Sequence, residues 1–162
     1  MSPAGKHALL EALRARLAAE LEVMTRAALA THAEATDDEN RAEDKYDTRG
    51  LEASYLAHGQ SRAAEEAAAA LAQFRALPAR SFGPDDPVGL GAVVTLDVSG
   101  RLSHYVIGPR AGGTEVEHDG RNYLVVTPQS PLGRQLVGRR AGAVLQLETA
   151  GRRTAATIAT VA

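Results

Sequence analysis

Apolar residues recur in steps of three and four between Lys6 and Glu34: Leu10, Leu13, Leu17, Leu21, Met24, Ala28 and Thr31. Side chains three and four apart share one face of a helix, so this spacing predicts one long helix with a single apolar stripe. No glycine or proline interrupts it, and Ser2-Pro3 supplies a start signal for the first turn. A second stripe runs Ala42, Tyr46, Arg49, Ala53, Leu56, Gln60, Ala63, Ala67, Ala70, Phe74 and Leu77. Its alternating steps of four and three make the seven-residue repeat of a coiled-coil seam. Pro78 ends it, because proline cannot continue the helical hydrogen-bond ladder. The arms Lys6–Glu34 and Leu51–Leu77 are nearly equal, each on the order of 40 Å at ~1.5 Å per residue. Such arms are expected to fold back as an antiparallel coiled-coil hairpin over residues 1–78, with the bend near Arg41 and many alanines letting the backbones approach.

Beyond a turn-rich linker, Ser81–Pro87 (SFGPDDP), the period changes to two. Strands are expected at Val88–Val98, Leu102–Ile107, Arg121–Val126, Ala143–Glu148 and Thr154–Val161. Ser99-Gly100, Asp119-Gly120 and Ala150-Gly151 mark turns. Ser130 stands at a cap position and Pro131 at a first helical position, so a short helix starts there and stops at Gly138. The fold class is therefore α+β in two domains: the helical hairpin, 1–78, and an antiparallel sheet with one helix across it, 82–162.

Composition adds exclusions. Among 162 residues, 44% are hydrophobic and 4% aromatic, so the cores must be built on Ala, Leu and Val. A net charge of −2 argues against a free-standing duplex-DNA binder. No cysteine is present, which removes disulfides and thiolate chemistry together. No signal-like or membrane-spanning run occurs, and a cytoplasmic protein is expected. The five histidines lack ligand spacing, the glycines form neither GxGxxG nor a phosphate loop, and no Ser-His-Asp set can be proposed. The charge pattern is uneven, however. Glu34–Asp47 holds seven acids and two bases, a local net charge of −5. Carboxylates at this density need solvent, a cation or a basic partner, and hard cations such as Mg²⁺ take such ligands. At the bend of a hairpin they would tip a rod with negative charge.

Together these residues resemble the Gre transcript-cleavage and elongation factors of bacterial RNA polymerase. The stretches VGLGAVVTLD, YVIGP, VVTPQSPLGRQLVGRRAGAVLQLE and ATIATV look like the family's FKBP-like domain in order and spacing. Ser130-Pro131 through Leu136 and Gly138 resembles its Ser-Pro-x-x-x-x-Leu-x-Gly signature, and the N-terminal half matches in architecture, so the likeness covers essentially the whole chain.

The resemblance implies a rod entering the polymerase secondary channel, with the globular domain docked at its rim. Tip carboxylates would share a Mg²⁺ in the polymerase's own active site, so the protein would be an accessory factor rather than an enzyme. Nascent RNA would be met only inside the elongation complex, and neither a membrane nor free DNA is an expected partner. Asp37, Asp38 and Glu39 are the first candidates to face the metal, then Glu43 and Asp44. Ser130, Pro131, Arg134, Arg139 and Arg140 are candidates for polymerase docking. The tip departs from the family pattern: if Glu39-Asn40 occupy the Glu-Asn positions, the preceding Asp slot holds Thr36. Two further readings stay open. One is a non-cleaving inhibitor or competitor at the same channel. The other is a peptidyl-prolyl isomerase, for which this half offers Phe82, Tyr105 and Tyr123.

Overall fold

The computed structural model describes residues 1–36, 49–83, 85–149 and 152–162. Two long helices come first, α1 (Pro3–Thr36) and α2 (Arg49–Ala76). Ser2 starts the first as expected: its Oγ accepts from Gly5 N at 3.1 Å. Six strands and a short helix follow: β1 (Val93–Val98), β2 (Arg101–Ile107), β3 (Glu115–His118), β4 (Arg121–Val126), α3 (Pro131–Leu136), β5 (Val144–Thr149) and β6 (Arg152–Val161). The chain divides into two compact units. One holds Met1–Arg14 with Gln73–Ala162, the other Ala15–Ala72.

Within the helical unit the stripe of α1 appears as its spacing predicts: Leu17 and Ala28 are buried, and Leu21, Met24 and Thr31 are partly buried. On α2, Ala70 and Leu71 are buried, and Gln60, Ala63 and Ala67 are partly so. One seam position differs. Leu56 is 56% exposed, and its neighbour Ala57 is the sheltered residue. The second stripe's residues Ala42 and Tyr46, and the bend itself, lie outside the described residues.

The other unit is built on a single sheet of order β3-β4-β2-β1-β6-β5. All its pairings are antiparallel except β2 with β4. Two features depart from the expected sheet. The first strand begins at Val93 rather than Val88, because Gly91 takes a positive φ of 79° and Ala92 N closes a turn onto Gly89 O. The strand β3 was also not expected. After β2 the chain crosses to the sheet edge and returns as a hairpin, and that return lays β4 beside β2 in the same direction.

Successive strand residues face opposite sides, so both faces need cover. One face carries Val94, Leu96, Ile107, Val126 and Ile158 and is covered by Leu132 and Leu136 of α3. The other buries Val93, Val106, Tyr123 and Val125. Here Phe74, in the last turn of α2, reaches the sheet at Gly108. A β-carbon on Gly108 would come within 2.6 Å of the Phe74 ring and 2.7 Å of Val125. Only glycine lets the ring seat.

One cation is buried in this unit. Lys6 is 2% exposed, and its Nζ donates to Arg80 O at 2.5 Å and to Ala162 O at 2.9 Å. It also lies 4.3 Å above the centre of the Phe82 ring. Burial first, and the Arg80 charge second, lower the Lys6 pKa to about 8. The unfolded chain therefore holds this proton more tightly than the native one above pH 8, so the native state gains stability as pH rises from 8 towards 10.5. A lysine–methionine comparison isolates the effect. Relative to Lys6→Met, the wild-type chain should gain at most about 3 kcal/mol between pH 8 and 10, read from urea midpoints. A flat difference would show that the two carbonyls fully compensate the buried charge.

Candidate functional site

The segment after β4 folds around one hydroxyl. Ser130, extended at φ −67° and ψ 157°, caps α3: its Oγ accepts from Gly133 N at 3.0 Å and donates to Thr127 O at 2.8 Å. Pro131 follows at the first helical position, where the missing N–H costs nothing. The turn is so tight that a β-carbon on Gly133 would lie 1.8 Å from Thr127 O. Leu136 is buried in the sheet core, and α3 ends as Gly138 turns back at φ 82°.

The chain beyond α3 is pinned to the linker side. Val88 N donates to Arg139 O at 2.7 Å, and Gly138 N donates to Val88 O at 2.8 Å. Arg140 Nε donates to Asp85 O at 2.8 Å, and Arg134 donates to Gln129 O. Arg134, Arg139 and Arg140 are exposed, as is Pro131. Val137 and Leu90 are also exposed, at 41% and 50%. The result is a surface that mixes three guanidinium groups with small apolar patches, a composition suited to an acidic protein partner.

The docking candidates thus lie together on α3 and the loop that follows it. They are not equivalent. Both hydrogen-bonding roles of the Ser130 hydroxyl are used inside the turn, whereas Arg139 has no side-chain partner among the described residues. The metal-facing candidates Asp37, Asp38, Glu39, Glu43 and Asp44 lie outside the described residues. Among the described residues no group of three or more His, Asp or Glu side chains could hold a metal ion. As donors, the five carboxylates suit a hard cation such as Mg²⁺.

Of the three aromatics named for an isomerase, Phe82 and Tyr105 are both partly buried against the α3-covered core, whereas Tyr123 lies on the other face of the sheet. Phe82 lies beneath Lys6 and Arg80, with the Arg80 guanidinium 4.8 Å from its ring centre. Tyr105 packs against the α3-covered core, and Tyr123 is 1% exposed on the opposite face. No described helix is long and apolar enough to cross a membrane.

Sequence reasoning passed over two groups here. Lys6 reads as an ordinary surface lysine in a helical first turn, and no local signal marks it. The carbonyl of Thr127 is equally silent, although the Ser130-to-Gly133 spacing of three is the trace it leaves.

No family model matches this sequence, and no characterised protein does so at a significant level. Among solved structures, the chain is similar to the transcription factor Gfh1 at 25% identity, covering 93% of both chains with a TM-score of 0.40. It is also similar to the Thermus thermophilus GreA factor homolog 1 (22% identity, 92% and 94% covered, TM-score 0.39). For Thermus aquaticus Gfh1 the values are 20% identity, 97% and 94% covered, and a TM-score of 0.41. At this level of superposition neither a shared fold nor an activity transfers to this chain.

The α3 turn yields a graded expectation. Ser130→Ala removes the cap and should cost about 1 kcal/mol of stability, whereas Gly133→Ala drives a methyl into a backbone carbonyl and should cost about 3 kcal/mol or more. Chemical denaturation of the two variants checks the order. Equal losses would mean that the turn relaxes around residue 133.

Proposed function

We propose that this protein is a Gre-type regulator of bacterial RNA polymerase that binds at the secondary channel. The observation that supports this reading is one of combination. Two helices of 34 and 28 residues flank the acidic stretch, and the same chain continues into a six-stranded sheet whose signature segment folds as a Ser130-capped helix. Each part alone is common. Their order, with the quoted motifs in the second half, is what matches the family pattern.

In this reading the helical part carries Asp37, Asp38 and Glu39 towards the polymerase centre, with Glu43 and Asp44 behind them. A Mg²⁺ shared there would supply Lewis acidity for hydrolysis of backtracked RNA. The chain's own contribution is to bring carboxylate oxygens to the site and to exclude other occupants of the channel. It would act as an accessory factor with no independent turnover, in the compartment where polymerase works. Arg139, Arg140 and Arg134 would face acidic groups on the polymerase rim, with Val137 and Leu90 supplying apolar contact.

The displaced tip pattern favours a second outcome at the same place. With Glu39-Asn40 in the Glu-Asn positions, Thr36 falls where the family has an acid, and the chain would then occupy the channel without supporting cleavage and act as an inhibitor. One assay separates the two. Polymerase stalled in a backtracked complex at fixed Mg²⁺ is incubated with and without the protein, and the RNA products are resolved. Cleavage that falls at least about tenfold in Asp37→Ala or Glu39→Ala supports the donated-carboxylate reading. Slowed elongation without cleavage, unchanged by those substitutions, supports the inhibitor. Absence of polymerase binding defeats both.

Docking gives a separate expectation. Arg139→Glu places a like charge against an acidic rim and should weaken polymerase binding by roughly tenfold, mainly through slower association at low salt. Surface-immobilised core polymerase provides the measurement. An unchanged affinity would move the docking surface elsewhere.

A further inference from the structure

The sheet face opposite α3 carries a row of five residues across five strands: Val116, Tyr123, His104, Thr95 and Thr160, each in register with the next. Two of the pairs interact directly. Thr95 Oγ1 lies 3.1 Å from His104 Nδ1, and the His104 and Tyr123 rings are 5.4 Å apart at 38°. A depression of about 280 Å³ opens over this row. Its lining mixes Arg121, His104, Thr95 and Thr160 with apolar residues that include Met1, Leu102 and Ala159.

Arg121 stands two residues before Tyr123 on β4 and so points to the same face. It is exposed and forms no ion pair among the described residues. Its charge acts on His104 instead: burial first, and Arg121 second, hold the imidazole below its ordinary pKa. Both causes favour the uncharged ring, and Thr95 holds it through Nδ1. An exposed guanidinium with no ion pair among the described residues, beside an imidazole and two hydroxyl groups, leaves donors open to an acceptor from solution. The planar fork of arginine matches carboxylate and phosphoryl oxygens in two-point contact. The apolar residues of the lining ask for a hydrocarbon body on the same molecule.

We propose that this depression binds a small organic anion with a short apolar body, its carboxylate or phosphoryl oxygens seated on Arg121. The site lies on β1, β2, β4 and β6, apart from the α3 surface, and does not depend on polymerase binding.

The test is an amide NMR titration of the full chain with butyrate and, separately, with phenyl phosphate, using butylamine as the cationic control. Saturable shifts of Thr95, His104, Tyr123 and Thr160 are expected with at least one anion and not with the amine. Saturation by butyrate alone assigns a carboxylate ligand, and by phenyl phosphate alone a phosphoryl ligand. Arg121→Gln, at an exposed position that leaves the sheet intact, should weaken the binding at least about tenfold. Ala159→Leu, which adds bulk to the lining, should weaken it independently. The proposal is overturned if neither anion saturates at tens of millimolar. It is also overturned if shifts gather at Arg134, Arg139 and Arg140, or if the affinity of Arg121→Gln equals that of the wild type.

Discussion

A buried ammonium group ties together three stretches of chain that the sequence keeps far apart. Lys6 donates to carbonyls 74 and 156 residues away, on Arg80 and Ala162. The Ala162 oxygen also accepts from Val93 N at 2.7 Å, so one acceptor serves α1, β1 and the end of β6. Burying a charge is costly unless hydrogen bonds and counter-dipoles replace water. Two main-chain oxygens and the Phe82 face do so in part, and the pKa lowered to about 8 records what they leave uncompensated. Arg14 acts in parallel two turns later. Its guanidinium donates to Phe74 O and Leu77 O at 3.0 Å each, adding to the 3.3 Å bond from Leu77 N to Phe74 O where α2 ends. Positive groups on α1 thus meet the negative end of the α2 dipole. The start of the first helix and the end of the second are held by polar bonds as much as by apolar contact.

Those bonds matter because the core is thin. With two phenylalanines, four tyrosines and no tryptophan, large side chains cannot fill space between layers. Valine and leucine cover the sheet instead, and the few rings are placed where backbone gives way to them. Phe74 needs the bare Gly108, and α3 needs the bare Gly133, to approach closely enough. Close approach at glycine compensates for small side chains, which makes these two positions sensitive to a single methyl group.

How much of this was legible depends on the distance over which each feature is determined. The stripe Leu10, Leu13, Leu17, Leu21, Met24, Ala28 and Thr31 is set by one helix's own period, and its burial follows. The cap at Ser130 and Pro131 is local chemistry and was readable to the residue. The strand β3 was not, because Glu115-Val116-Glu117-His118 lies at a sheet edge, where charges deter further pairing and make a strand resemble a loop. The parallel β2–β4 register arises from a crossover that no local pattern encodes. It is the same register that brings His104 beside Tyr123, so the anion site was invisible for the same reason. The candidate metal-facing acids rest on charge density at the expected bend and on the family resemblance, and they fall outside the described residues.

The signature motif can now be weighed by what its members do. Ser130 spends both hydrogen-bonding roles on the turn, Pro131 sets the first helical φ, Gly133 admits a carbonyl, Leu136 fills the core and Gly138 reverses the chain. Every fixed position of Ser-Pro-x-x-x-x-Leu-x-Gly is thus accounted for by folding. A motif of this kind identifies a way of turning from a strand into a short helix, and it leaves exposed Pro131 and the residues between and beyond its fixed positions open to a partner. In this chain those include Arg134, Val137, Arg139 and Arg140, all exposed, of which Arg134 also donates to Gln129 O and Arg140 to Asp85 O. Under the proposed function, docking would fall to the exposed residues of this segment and folding to its buried and turn-forming ones.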